Sequence, residues 1–381
     1  MDNSKFIKQH KCPACGGTLV FSPEKGKLVC EFCDTEYEVE KDEGAQSPAE
    51  KPKTNVSGEA QPDAPQIEGF DFSQFYESAK VPNGENLPIY LCKSCGAEVI
   101  ASSVEASLTC PYCTNKIVLT DKLSGSIRPD GIIPFKIPQK DLKAHLDNFY
   151  KDKKLLPKNF FSESKMEKVT GIYVPFWLFT GKLSGDYSYA AHKISTTESN
   201  DYKITTTRYY HTERRAEAGF ADIPIDASDK MKDSLMDSVL PYDMSEVKPF
   251  STDYLAGYAA DRFDVPGKAM QSRADKLMSN TVQRMVEGNL HAEYTNISRN
   301  RSSIHAEGVK VRYILMPVYA FNIKWGNKKY GFGVNGQTGK VVGDLPTDKN
   351  VSRFYFLVRF GALAGGIFAA LFISYLFGGA L

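Results

Sequence analysis

The sequence predicts an α+β fold, and three observations carry that reading. Eight cysteines fall in four Cys-x-x-Cys pairs in the first third of the chain. Downstream, runs with the period of strands are interrupted by runs with the period of helices. From Phe360 to Leu381 there is no charged residue. At 381 residues the chain has room for two or three domains, and its middle can bury its own core. A formal net charge of +1 gives no global field that would draw it onto nucleic acid.

The cysteine pairs are Cys12/Cys15, Cys30/Cys33, Cys92/Cys95 and Cys110/Cys113, and each of the first four recurs 80 positions later. One module is therefore present twice. A Cys-x-x-Cys turn places two thiolates on one knuckle, and two knuckles complete a tetrahedral four-sulfur shell suited to Zn²⁺. Pro13 and Pro111 stiffen two of the knuckles. Gly16-Gly17 and Gly96 follow Cys15 and Cys95, where backbone amides must turn back toward sulfur. Between the first two knuckles, GGTLVFSPEKGKLV reads as two short strands around Pro23-Glu24-Lys25-Gly26. Disulfides and a redox dithiol are the rivals; closed pairs at fixed spacing fit metal better. Closing the chain from Cys15 to Cys110 costs about 1.7 kcal/mol more than closing it to Cys30, so pairing within each module is favoured. The expectation is two structural zinc sites, in a first ribbon over 1–40 and a second over 86–122. Four cysteines leave no open position for a reactive water.

Between the ribbons, 41–69 is rich in Pro, Ala, Glu, Lys and Ser and nearly free of large apolar residues, the composition of a flexible linker. By flexible-chain scaling it lets the first ribbon search a radius of roughly 30 Å around the second. The aromatic run Phe70–Tyr76 reads as a docking segment. A mixed α+β body with an antiparallel sheet is expected over 123–345. Leu142, Leu146 and Phe149 predict a short amphipathic helix. Gly171–Phe179 and Tyr202–Tyr210 read as strands. Pro266 opens and Gly288 closes a longer helix with Met270, Ala274, Leu277, Thr281 and Met285 on one stripe. Alternation from Val311 to Trp325 predicts a half-buried strand. A hairpin is expected at Val334-Asn335-Gly336, with Asn-Gly supplying a positive φ. IIPFKI, YVPFWLF and LMPVYAF rhyme, each with a proline in an apolar run, which marks an edge, a bulge or a strand start.

Enzyme signatures are scarce, and no catalysis is expected. Gly331–Gly336 matches G-x-G-x-x-G by letter but falls on a hairpin rather than between strand and helix. No phosphate loop is present. His10, His145, His192, His211, His291 and His305 form no metal-ligand spacing, and His291 and His305 fall on expected strands. Met1–Glu40 carries five Lys against seven Asp or Glu, and Ile89–Thr120 two Lys against two Glu, so neither ribbon has a basic face for phosphate. Protein partners are the better expectation for both. The Lys151–Lys154 cluster and Arg214-Arg215 read as solvated faces, or as contacts for anionic lipid.

The uncharged stretch Phe360–Leu381 covers roughly 33 Å as a helix, enough to cross a hydrocarbon core. Leu363, Ile367, Leu371 and Phe377 point all round it, leaving no face for water. Lys349, Arg353 and Arg359 precede it, which puts the N-terminal side in the cytoplasm. No signal peptide is expected, since Lys5, Lys8 and Lys11 interrupt the first segment. The layout is that of a tail-anchored protein, with juxtamembrane segment and span over 354–381 and the lipid bilayer as partner of Phe360–Leu381. Gly361, Gly365 and Ala369 lie at successive i+4 positions, a small-residue ridge for helix–helix association.

CPACGG, CEFC, CKSC, CPYC, DGIIPFKI, YVPFWLF and VNGQTGKVVGDLP together resemble a family of bacterial proteins with TFIIB-type zinc ribbons and a C-terminal membrane segment. Members are at times labelled as the primosomal replication-restart helicase, but a helicase motor needs a phosphate loop. The resemblance implies a cell-membrane adaptor that works with flotillin-like (SPFH) or phage-shock-type membrane proteins. The expectation is therefore an adaptor whose ribbons hold protein partners at the membrane. The alternatives are a membrane-tethered nucleic-acid-binding ribbon protein and a hydrolase with its site in the body.

Overall fold

The computed structural model describes residues 11–40, 89–92, 94–101, 108–110, 116–117, 128–157, 160, 165–166, 169–199, 202–228, 230, 233–263 and 267–377. Cys113, the linker 41–69, Phe70–Tyr76 and Pro266 lie outside them. The first module is a three-stranded antiparallel sheet of β1 (Leu19–Ser22), β2 (Lys27–Cys30) and β3 (Glu36–Tyr37). Alternation in β1 turns Leu19 and Phe21 inward, and β2 answers with Leu28 and Cys30. The turn between them needs a positive φ, which Gly26 supplies at 64°. The second module contributes β4 (Ile89–Leu91), β5 (Glu98–Ala101) and a small pair, β6 (Leu108–Thr109) with β7 (Lys116–Ile117).

The body runs β8 (Gly131–Ile132), α1 (Leu142–Lys151), β9 (Lys165–Met166), β10 (Thr170–Ser199), β11 (Tyr202–Asp226), α2 (Asp233–Val239), β12 (Lys248–Pro249), β13 (Ala259–Asp261), α3 (Gly267–Glu293), β14 (Asn296–Trp325), β15 (Lys328–Asn335) and β16 (Val341–Gly343). A final helix, α4 (Lys349–Phe377), follows. The main sheet is ordered β12-β8-β14-β10-β13-β5-β4, with β11 also on β10, and β9 and β15 also on β14. The fold is the mixed α+β class with antiparallel pairing that the pattern predicts. The boundary expected at 122/123 is crossed, however, because β5 pairs antiparallel with β13 and so joins the second module to the body's sheet.

The central strands alternate between two cores. Tyr173, Trp177 and Phe179 of β10, with Tyr313, Leu315 and Tyr319 of β14, face α1 and α3. Ile172, Val174, Phe176 and Leu178, with Ile314, Met316 and Val318, face α2. The rhyming segments lie side by side as β8, β14 and β10. Their prolines are not on a sheet edge. β10 leaves β13 after Tyr173 and meets β11 at Phe176, and Pro175 fills that gap. β14 leaves β8 after Leu315 and meets β15 at Val318, and Pro317 fills that gap. A strand changing partners has no ladder donor to lose there, which is why proline is tolerated.

Three elements extend beyond the sequence reading. β10 and β11 pair over their lengths from Phe176/Asp226 to Ser199/Tyr202, and β14 flanks β10 as far as His192/Asn296. They form a long arm. One of its faces carries Leu183, Tyr187, Tyr189 and Ile304 into the core shared with α3. Its other face bears Asp186, His211, Arg215 and Glu217, so only half of each strand has the apolar signal that identifies strands. α3 buries Met270, Ala274, Met278, Val282, Val286 and Leu290, whereas Leu277 and Met285 are 46% and 58% exposed. The buried stripe thus turns one residue away from the expected one after Ala274. Gly288 does not end α3, because burying Leu290 outweighs the cost of about 1 kcal/mol for glycine in a helix. His291 consequently sits on a helix, not a strand.

The turn after β15 also differs. Asn335 is wholly buried and keeps a negative φ; the left-handed residue is Gly339, at 75°. The Asn335 carboxamide accepts from the Gln337 and Thr338 N–H groups and donates to the Val239 and Pro241 carbonyls. It therefore ties the turn to α2. Gly336 is required for space: a Cβ there would lie 2.5 Å from a Phe135 ring carbon.

Candidate metal centre

Three knuckles fold by one hydrogen-bond pattern. The Gly16, Asp34 and Gly96 N–H groups donate back to the carbonyls of Cys12, Cys30 and Cys92 at 2.8, 3.0 and 2.8 Å. The Cys12, Cys30 and Cys92 N–H groups donate to Gly17, Thr35 and Ala97 at 2.7, 3.0 and 2.8 Å. The residue after each second cysteine takes a left-handed φ: 75° at Gly16 and Gly96, 56° at Asp34. Glycine and aspartate are among the few residues that tolerate it.

The result is a cluster of Cys12, Cys15, Cys30 and Cys33, and another containing Cys92, Cys95 and Cys110, each with all sulfurs within 4.8 Å of one another. In each described knuckle the first cysteine is buried and the second exposed. Neighbouring sulfurs are 3.6 Å apart for Cys12/Cys33, 3.4 Å for Cys15/Cys30 and 3.6 Å for Cys95/Cys110. A disulfide would bring them to about 2.05 Å. A tetrahedron with arms of about 2.3 Å has edges of about 3.8 Å, so the thiols fit a zinc-sized four-coordinate ion. Cys113, the expected fourth ligand of the second cluster, lies outside the described residues.

The first cluster has polar support that spacing alone does not reveal. The Tyr37 hydroxyl lies 3.4 Å from Cys12 Sγ, the Thr35 hydroxyl 3.1 Å from Cys33 Sγ, and the Phe32 N–H donates to Cys30 Sγ at 3.5 Å. The Tyr37 bond, with backbone bonds from Cys15 and Ala14, lowers the Cys12 thiol to about 6, and the Thr35 hydroxyl lowers Cys33. Cys15 is pushed up to about 12: its bond from Gly17 lowers it, but Cys33 and Cys30 together outweigh that bond. Four adjacent thiols cannot all ionise against one another, and a dication removes that conflict. A tyrosine seven residues beyond the third cysteine was the signal available in the sequence.

Both ribbons are seated on the same stretch of the body. Phe21 N–H donates to the Ala256 carbonyl at 3.0 Å, its ring meets Tyr254 edge-on at 5.2 Å, and Ala256 completes the ribbon's small core. Glu40 N–H donates to Asp253 at 2.8 Å. Gly257, at φ 83°, leaves room for Val20. A few residues on, β13 pairs with β5, and Arg262 bonds Glu98 at 2.7 Å. The first ribbon is thus docked on the body, through Phe21 on Ala256 and Tyr254 and Glu40 on Asp253.

The described histidines stay apart. His145 packs over Gly339, His192 lies against the Tyr209 ring, and His211 and His305 approach Ser188 and Ser303. Among the described residues no cluster of potential metal ligands includes any of them. The second candidate surface is α4, whose stretch Lys349–Ala369 is apolar and long enough to cross a membrane, with none of it buried in the body. Gly361 and Gly365 face open space, with nothing within 4 Å of where a Cβ would lie.

The thiol clusters and their knuckles define a zinc-ribbon-type, metal-binding protein. Residues 11–42 match the Trm112p-like protein family. Over 377 residues the chain is 31% identical to the "Uncharacterized protein YdjG" of Bacillus subtilis (strain 168), covering 98% of this chain and 99% of that relative. The chain belongs to the YdjG family. No solved structure matches it.

Proposed function

We propose that this protein is a membrane-anchored adaptor: α4 holds it in the bilayer with the body on the cytoplasmic side, and its zinc-filled ribbons present a surface to protein partners without catalysis. The observation that carries this reading is Phe32, at the tip of the second knuckle of the first ribbon and 76% exposed. Exposed aromatics beside a rigid framework are the residues around which protein interfaces concentrate their binding energy. The metal fixes the knuckle that bears it, and Glu31 and Asp34 flank it with negative charge. Lys25 and Lys27 are engaged by Glu36 and Glu38 at 2.8 and 2.9 Å, which supports a protein partner over a phosphate backbone. By its chemistry the partner surface is apolar with a basic rim, and membrane proteins of the flotillin-like or phage-shock type suit the location.

The test is affinity capture of the full-length protein from detergent-solubilised membranes, comparing wild type with Phe32→Ala. A specific co-purifying protein should fall severalfold in the variant while metal content stays unchanged. Recovery of the same proteins in the same amounts would remove the ribbon from the recruiting surface. Protease added to intact cells should leave the ribbons uncut; their digestion from outside would overturn the cytoplasmic placement.

A further inference from the structure

Where α4 leaves the body, a groove of about 390 Å³ opens between the helix and the loop that follows α1. Its floor is Leu155, Phe356, Phe360 and Leu363, and its rim carries Lys154 and Arg359. The two sides are held together: Asp348 N–H donates to the Leu155 carbonyl at 2.9 Å, and Asp348 Oδ1 then accepts from the Asn350 N–H at 2.8 Å at the start of α4. The groove is therefore part of the fold. Phe356, Phe360 and Leu363 are 68%, 62% and 67% exposed, a strip of aromatic and aliphatic surface that none of the described residues covers. Lys153 is occupied over the Phe149 ring at 4.5 Å. Among the described residues, no carboxylate forms an ion pair with Lys154 or Arg359.

We propose that this groove is a binding site for an anionic phospholipid, one acyl chain lying along Leu155, Phe356, Phe360 and Leu363 and the phosphate held between Lys154 and Arg359. The inference rests on the placement of α4 in a bilayer. An apolar floor of this size suits a hydrocarbon chain. Both cations line the groove, and Arg359 immediately precedes the uncharged part of α4, the depth at which headgroup phosphates lie. A zwitterionic lipid would satisfy the floor, but its own ammonium offsets its phosphate, so two cations favour a headgroup with net negative charge. A second copy of this chain would bring the same two cations against them.

Native mass spectrometry of the full-length chain in neutral detergent tests this, with phosphatidylglycerol and phosphatidylcholine of matched acyl chains. One phosphatidylglycerol should be retained with a preference of roughly thirtyfold, about fivefold per basic residue. The double substitution Lys154→Gln with Arg359→Gln, at two exposed positions, should lower that preference to the phosphatidylcholine level. Lys349→Gln with Arg353→Gln removes the same charge outside the groove and should keep it. Equal retention of the two lipids overturns the proposal, as does equal loss in both double variants. Glycerol phosphate displacing the lipid, or lipid-independent dimers sensitive to Leu363→Glu, would overturn it as well. Alkaline carbonate extraction separates this from the membrane reading. A chain that is extracted refutes the anchor, whereas one that stays in the membrane without lipid preference refutes only the groove.

Discussion

Replacing Tyr37 by Phe should weaken one metal site and leave the other alone. The hydroxyl lies 3.4 Å from Cys12 Sγ, and Cys12 is 2% exposed, so water does not readily take its place. A hydrogen bond to a charged group contributes about 1.5–3 kcal/mol, which converts to roughly 10- to 150-fold in affinity. Outer partners of metal ligands typically contribute about 10- to 100-fold. The position 80 residues later is Ile117, which has no hydroxyl, so the second site should not depend on this kind of bond. The assay is stepwise zinc release from full-length protein into a competing chromophoric chelator near neutral pH. Wild type should release two zinc ions per chain; in Tyr37→Phe one step should move to chelator concentrations about 10- to 100-fold lower. The pH dependence has a defined sign. Cys12 is lowered from 9.0 to about 6, with the Tyr37 bond as the largest cause beside backbone bonds from Cys15 and Ala14, so the stabilisation is full above 9 and is lost as pH falls through about 6. Tyr37→Phe raises that thiol, and the first site should empty at a higher pH than in wild type. If both steps move together, or neither moves, the hydroxyl does not support the cluster and the reasoning fails.

Gly336→Ala would place a Cβ 2.5 Å from the Phe135 ring and 2.8 Å from Pro317, and overpacking of that kind costs about 1–3 kcal/mol. Thermal unfolding should report a drop of several degrees, and an unchanged midpoint would show that Phe135 yields freely. Met278→Ala should lose about 2–5 kcal/mol, since Met278 is buried beneath α3. Leu277→Ala, one residue earlier and half exposed, should stay within about 0.5 kcal/mol in the same chemical denaturation experiment, and equal losses would contradict the buried stripe.

The sequence made the metal centre legible because its chemistry is local. Cys12, Cys15, Cys30 and Cys33 are constrained by knuckle geometry within a few residues, and Gly16 and Gly96 announce the left-handed position that each knuckle needs. α1 was legible for the same reason, with Leu142 and Leu146 on the buried face. The arm was not. Beyond Phe179 the inward residues of β10 include Leu183, Tyr187 and Tyr189, but glycine and alanine interrupt the pattern and its other face is polar. Only the partner strands reveal that the ladder continues. The stripe on α3 was misplaced because Leu277 and Met285 have the right character and spacing, and burial alone distinguishes them from Met278 and Val286. Asn335 and Pro317 owe their conformations to α2 and to neighbouring strands distant in sequence, which no local pattern encodes.

Under the proposed adaptor function, the seating of the ribbons changes how a partner would bind. A freely tethered ribbon gains affinity by searching, with effective concentration set by the linker. Here Phe21 is bonded to Ala256 and packed on Tyr254, while a few residues further along the same segment β13 carries β5 of the second module. The spacing between the two ribbons is therefore set by the short segment from Asp253 to Arg262, not by the linker. A partner that touches both must match that spacing, which costs adaptability but leaves little ordering entropy to oppose binding. The surface of the first ribbon that meets Ala256 and Tyr254 is already covered, so under the proposed function recognition would fall to what remains exposed. Phe32 is part of that surface. On the proposed function a bound metal would do more than hold a small module folded: through the Cys30–Cys33 knuckle it would set the direction in which the aromatic side chain is presented.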